Sequence, residues 1–259
     1  MKLHLVPART GYQWFKQGVR AFLRQPIALS GLFFVFMALM SLLRLIPVLG
    51  NVLALALLPG ATLGLMAATR EASEGQFPLP TVLLSAFRAG RKQLRAILIL
   101  GALYAGSFML VLALSALIDG GRFAQFYLLG TALSPESMQD SHFDLALILA
   151  MALYMPLSLL FWHAPALVHW HGVAPVKSLF FSLVACLRNF WAFTVYSLVW
   201  LLAFLVVGVG VELVAVAAGS TDGLADILFS VMMLLAAVFF TSIYFTFRDC
   251  FNTGTGETS

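Results

Sequence analysis

Apolar and polar positions are sorted along this chain on two scales. On the longer scale, six mostly apolar stretches come near the ~20 residues that a helix needs to cross a hydrocarbon core. They run from Ile27 to Leu43, Val48 to Ala68, Ile97 to Ile118, Leu145 to Val168, Trp191 to Val214 and Ile227 to Phe247. The first two are joined by the tight Arg44-Leu45-Ile46-Pro47 connection. The pattern predicts an all-α, polytopic membrane helix bundle: six transmembrane helices in three hairpins.

On the shorter scale, an amphipathic segment precedes each hairpin. In the first, Tyr12, Phe15, Val19, Phe22 and Leu23 share one side of a helix, with Lys16, Arg20, Arg24, Gln13 and Gln17 opposite. In the second, Arg88, Arg91, Lys92 and Arg95 recur at helical spacing away from Val82, Ala86 and Phe87. The third, Ala174 to Asn189, is more apolar and carries Ser178, Ser182 and Asn189 as a polar stripe. Helices of this kind lie in the membrane interface, apolar side in the acyl region and basic side on anionic headgroups. Lys16, Arg20, Arg24, Arg88, Arg91, Lys92 and Arg188 are the candidate headgroup contacts.

These segments end alike. Ala21-Phe22-Leu23-Arg24-Gln25, Ala89-Gly90-Arg91-Lys92-Gln93 and Ala185-Cys186-Leu187-Arg188-Asn189 all read Ala-x-x-basic-amide. The expected organisation is a single transmembrane domain over 1–259 with repeat units at about 11–70, 81–171 and 174–250. Residues 251–259 are expected to form a flexible cytoplasmic tail.

Composition sharpens the class. Of 259 residues, 61% are hydrophobic and 10% charged, and mean hydropathy is +0.97. An average soluble domain carries about 25% charged residues, so this chain cannot cover itself with a polar surface. The N-terminus does not read as a cleaved signal peptide, because its first apolar run begins only near Ile27 behind an aromatic and basic segment. Two cysteines, Cys186 and Cys250, are too few for a disulfide framework or a cysteine metal cluster.

Charge placement sets the expected direction. Thirteen of the fifteen Lys and Arg residues fall on the side of both termini, leaving only Arg44 and Arg122 opposite, beside Asp119, Glu136, Asp140, Asp144, Asp222 and Asp226. The positive-inside rule then places both termini in the cytoplasm. A basic chain sorted in this way is not read as a nucleic-acid binder.

Candidate chemistry is sparse. Pro165, inside Trp162-His163-Ala164-Pro165, removes a backbone donor and frees the carbonyl of Phe161, which needs another partner in a membrane. Pro59 makes a similar break, followed by a Gly60-x-x-x-Gly64 spacing that suits close helix contact. Pro59, Trp162, His163 and Pro165 are therefore the candidate ligand or lipid pocket. His163, His169 and His171 do not make a metal site: His169 and His171 point about 200° apart on a helix. Glu212 lies near the outer end of the fifth span, where Arg44 is an available partner. The span centres carry no charge, and no phosphate loop, zinc-protease, nucleophile-elbow or Cys-x-x-Cys motif occurs. No cofactor, metal or enzymatic activity is expected.

The run Trp162-x-Ala164-Pro165-x-Leu167-Val168, then Pro175, then Ser182-Leu183-Val184-Ala185-Cys186-Leu187-Arg188-Asn189 resembles a family of uncharacterised proteobacterial multi-pass inner-membrane proteins. More distantly it looks like the membrane domain attached to some glycerophosphodiester phosphodiesterases. The resemblance implies a bundle of interfacial helices and hairpins in an inner membrane. It implies no phosphodiesterase activity, since no such domain is present.

Two functions fit these features. The leading one is a non-enzymatic membrane scaffold or assembly factor that contacts anionic lipid, with a membrane-protein partner or a second copy of itself. The alternative is a carrier or permease for an apolar or lipid-like solute, for which the proline breaks at Pro59 and Pro165 would open a cavity.

Overall fold

A computed structural model describes residues 2–131, 140–217 and 223–251. Among these residues every regular element is helical. Six helices are long and apolar enough to cross a membrane: α2 (Pro26–Arg44), α3 (Leu49–Ser73), α5 (Arg91–Asp119), α7 (Ser141–Phe161) continued by α8 (Ala164–His171), α10 (Phe190–Ala217) and α11 (Leu224–Cys250). They coincide with the six expected stretches. The chain folds as an all-α polytopic bundle.

The segments before the hairpins are helical too, each in its own way. α1 (Thr10–Arg24) is a single amphipathic helix. The second is broken into a 3-10 turn (Pro80–Leu84) and α4 (Ser85–Arg88). Gly90 ends it with φ +97, a left-handed value that only glycine adopts without strain. The expected basic stripe is thereby divided: Arg88 ends α4, while Arg91, Lys92 and Arg95 occupy the first turns of the span α5. α9 (Pro175–Arg188) matches the third segment. Its stripe does not face water, because Ser178, Ser182 and Asn189 are all buried.

Contacts gather the chain into two compact units, whose boundaries fall inside α2, α3, the 3-10 turn and α9. In the first unit, the described parts of Met1–Phe34, Gly64–Leu83 and Ala185–Ser259, α1 packs on α10 and α11. Small residues allow this approach. A Cβ on Gly11 would strike the Ala192 carbonyl, and one on Gly18 would strike Ser242. Trp14 is fully buried between them, its indole N–H donating to Asp249 at 3.0 Å and its ring 5.1 Å from that of Phe193. The face of α1 read as lipid-directed is thus divided, with Phe22 buried while Tyr12 and Leu23 are exposed.

Asn189 ties the N-terminal strand of chain to the same unit. Its carbonyl accepts from Val6 N–H at 2.8 Å, and its amide donates to the His4 carbonyl at 3.1 Å. Phe251 is buried and its N–H donates to the Phe247 carbonyl, so the expected flexible tail does not begin at 251. Residues 252–259 of that tail lie outside the described residues.

In the second unit, Val35–Leu63 and Leu84–Val184, α5 is the central helix and packs on α4, α7, α8 and the short helix α6 (Arg122–Leu129). α3 comes close as well: a Cβ on Gly101 of α5 would strike the Ala56 carbonyl.

Candidate functional site

The fourth span is interrupted at Trp162 and His163, between α7 and α8. Pro165 stands in the first turn of α8, where its missing N–H costs nothing. The break therefore arises as a helix restart rather than as a kink inside one helix. Ser182 of α9 repairs it. Its hydroxyl donates to the Leu159 carbonyl at 2.8 Å and accepts from the His163 N–H at 2.9 Å. One side chain thus replaces both halves of the interrupted backbone ladder, which a bilayer interior demands.

The residues read as pocket candidates are mostly inside the protein. His163 and Pro165 are buried, Pro59 is buried within α3, and Trp162 is half-buried. The glycine next to Pro59 is a packing position, since a Cβ on Gly60 would crowd the Phe87 ring. Gly64 meets the backbone of Leu83 in the same manner. The Gly-x-x-x-Gly spacing thus seats the chain that leads into the next span. The headgroup candidates Lys16, Arg20, Arg24, Arg88, Arg91, Lys92 and Arg188 are all exposed.

A cavity of about 350 Å³ lies elsewhere, in the second unit. None of Pro59, Trp162, His163 or Pro165 lines it. Leu55 and Leu58 of α3, Tyr104 and Phe108 of α5, and Ala150 and Tyr154 of α7 form much of its wall, and α6 contributes Phe123 and Tyr127. The lining is apolar and aromatic. Met151 and Tyr154 also line it while remaining exposed, so the cavity opens sideways on the surface of this unit. Tyr104 and Tyr154 bring two phenols to this otherwise apolar lining.

α6 is held in place at three points. Buried Asp119 accepts from the Gly121 N–H at 2.8 Å and the Phe123 N–H at 2.7 Å, capping the helix start. Arg122 pairs with Asp140, the N-cap of α7. At the far end, Asn51 donates to the Leu128 carbonyl at 2.8 Å. Asn51 also accepts from Arg44 Nε at 2.9 Å, and the Arg44 guanidinium stands 5.4 Å from the centroid of the Tyr127 ring. Within this unit, then, Arg44 serves the α6 cluster; in the first unit, Glu212 is exposed on α10. Burial pushes the Tyr127 phenol up, with the Arg44 guanidinium acting against it, so the ring stays neutral.

Asn51, Tyr104, Tyr127 and Tyr154 were not singled out from sequence, and Asp119 stood there only as one of the acidic residues opposite the termini. Their only trace there is polarity within an apolar run, and nothing local says which of them meet.

The chain is 41% identical over 254 residues to a probable inner membrane protein of Burkholderia thailandensis. The match covers 97% of this chain and 94% of that protein. The chain belongs to the same family. With its six apolar helices this makes it a multi-pass protein of the inner membrane. No protein-family model matches the chain, and no solved structure matches it. Family membership extends over essentially the whole length, so the α6 cluster and the cavity both lie inside the shared region.

Proposed function

We propose that this inner-membrane protein binds an apolar, lipid-like solute in the cavity between α3, α5, α6 and α7, and acts as a carrier for it without catalysing a reaction. The observation that supports this is the apolar lining combined with a sideways opening at Met151 and Tyr154. A solute dissolved in the bilayer enters such a cavity without crossing water. A water-soluble solute would find no fixed charge in the lining to replace its hydration. The 350 Å³ volume sits at the small end of the ~300–1,000 Å³ range of ligand sites. This suits a single acyl or isoprenoid segment better than a whole phospholipid.

The same reading takes both termini as cytoplasmic, because the basic residues cluster at that end of the spans. The cavity then lies toward the outer half of the membrane, with α6 at the outer surface.

The test uses the purified full-length protein and a pyrene-labelled fatty acid. Ala150→Trp places an indole in the cavity and is expected to weaken probe binding by about tenfold or more, a loss of roughly 1.4 kcal/mol. Unchanged binding, with Val111→Trp as a second filled variant, overturns the cavity as the site.

A scaffold role has one specific observation behind it. α10 has little of its apolar length buried within the protein, which leaves a long surface for a membrane partner or a second copy. Crosslinking in membranes from Leu201→Cys or Leu205→Cys is expected to trap a protein under that reading and lipid alone under the carrier reading.

A further inference from the structure

At the opposite end of α5 from α6, two grooves lie side by side in the second unit. One, of about 430 Å³, runs along Arg91, Leu94, Arg95, Leu98, Ile99 and Ala102. The other, of about 330 Å³, lies between the start of α5 and the chain around Gly172 to Pro175, with Lys92, Gln93, Ala96 and Val168 in its wall. Arg95 and Ile99 belong to both. The two grooves therefore part around one ridge, with cations at its head and aliphatic side chains below.

We infer that this ridge is a binding site for one anionic diacyl phospholipid. Its headgroup would rest on Arg91, Lys92 and Arg95, with an acyl chain in each groove on either side of Ile99. The site is distinct from the cavity under α6 and does not depend on what that cavity holds.

Three observations support the assignment. Arg91, Lys92 and Arg95 are all exposed, and neither groove has an acidic residue in its lining, so the head of the site is cationic without internal neutralisation. Below them the walls turn apolar, and Leu98 and Ile99 remain partly exposed, offering aliphatic surface that a soluble anion would not use. The length also fits. From Arg91 to Ala102 the helix rises about 16 Å, close to the roughly 15 Å hydrocarbon depth of a single leaflet. A soluble phosphate compound would match the head of this site and leave its lower two thirds unused.

Native mass spectrometry of the full-length protein with added dioleoyl phosphatidylglycerol or dioleoyl phosphatidylcholine tests the assignment. One phosphatidylglycerol is expected to stay bound, and phosphatidylcholine is not. R91Q/K92Q/R95Q is expected to weaken retention on the order of a hundredfold, whereas K2Q/R9Q/K177Q, which removes three exposed charges that line neither groove, leaves it unchanged. Ala102→Trp blocks the tail of one groove and is expected to lower retention with all three cations in place; it decides the matter should the triple variant misfold.

Equal losses from the two triple variants would show general charge attraction and overturn a built site. Competition by glycerophosphoglycerol, which has no acyl chains, would overturn the diacyl assignment. Ala150→Trp is expected to keep phosphatidylglycerol, so failure at either site is told apart from failure at the other.

Discussion

Ser182 shows what a single hydroxyl does in a membrane. It supports the Leu159 carbonyl and the His163 N–H at once, both at a helix break. Ser182→Ala leaves two buried backbone groups without that partner, and each such loss costs about 1–3 kcal/mol. Ser178, equally buried, donates to the Pro175 carbonyl of its own first turn. Thermal unfolding in detergent is expected to show a clear drop for Ser182→Ala and a small one for Ser178→Ala. Equal shifts would mean that the break does not need the bridge. Asn189 is the corresponding residue for the N-terminal strand. Asn189→Ala removes its bonds to Val6 and His4, and faster proteolysis within residues 2–9 is the expected result. Sequence marked Ser182 and Asn189 as members of a polar stripe and of a family-like run, but not by what they bond, because the carbonyls and N–H groups they serve are distant in the chain.

At the scale of elements, small residues and short helices decide how the segments meet. α1 lies against α11 through Gly18, where a Cβ would overlap Ser242. Gly31 on α2 has open space around it. Gly→Ala in a helix normally stabilises by about 0.5–1 kcal/mol, so Gly31→Ala is expected to raise the unfolding temperature while Gly18→Ala lowers it. Opposite signs from one chemical change would separate packing from propensity. The α6 clasp is sensitive to pH through Asp140. Two groups of His142, its backbone N–H foremost, and the Arg122 guanidinium between them hold the Asp140 carboxyl down from 3.8 to about 2. A folded-state value below the ordinary one means that the contribution is complete above about pH 4 and fades as pH falls toward 2. A spin label at Leu129 is expected to gain mobility over that window, and Asp140→Asn to show the same mobility at neutral pH. An unchanged spectrum in the variant would put the hold on α6 in Asp119 and Asn51 instead.

Whole-molecule features carry the remaining predictions. With thirteen of fifteen basic residues on one side, a fluorescent protein fused after Ser259 is expected to fluoresce and alkaline phosphatase there to be inactive. Fusions in the loop near Gly130 are expected to behave oppositely, and the reverse result would invert the proposed orientation. Cys186 and Cys250 are both buried, and burial pushes the Cys186 thiol up. The native protein is therefore expected to resist maleimide, with two thiols reacting only after denaturation.

How much of this was legible beforehand follows from the range of each interaction. Six spans and the helical segments before them depend on nearest neighbours along the chain and on the thickness of a bilayer, so hydropathy and charge order suffice. Gly90 already marks the interruption that divides the second basic stripe, yet whether the helix resumes before or after it depends on how α4 seats against α5. The fate of Pro165 turned on Ser182, nineteen residues beyond His163. Proline and histidine drew notice as chemically unusual residues, but in the folded chain His163 and Pro165 are buried in the core. The cavity instead formed where Tyr104, Tyr127 and Tyr154, from three separate helices, converge. A helix periodicity shows which side of one helix is apolar; it does not show which apolar sides leave a gap when they meet. Membrane, span number and charge order were thus set by the sequence alone, because they are sums over local transfer free energies. The cavity, the α6 clasp and the paired grooves on α5 arose only from tertiary packing, because each depends on the shapes of residues brought together from distant parts of the chain.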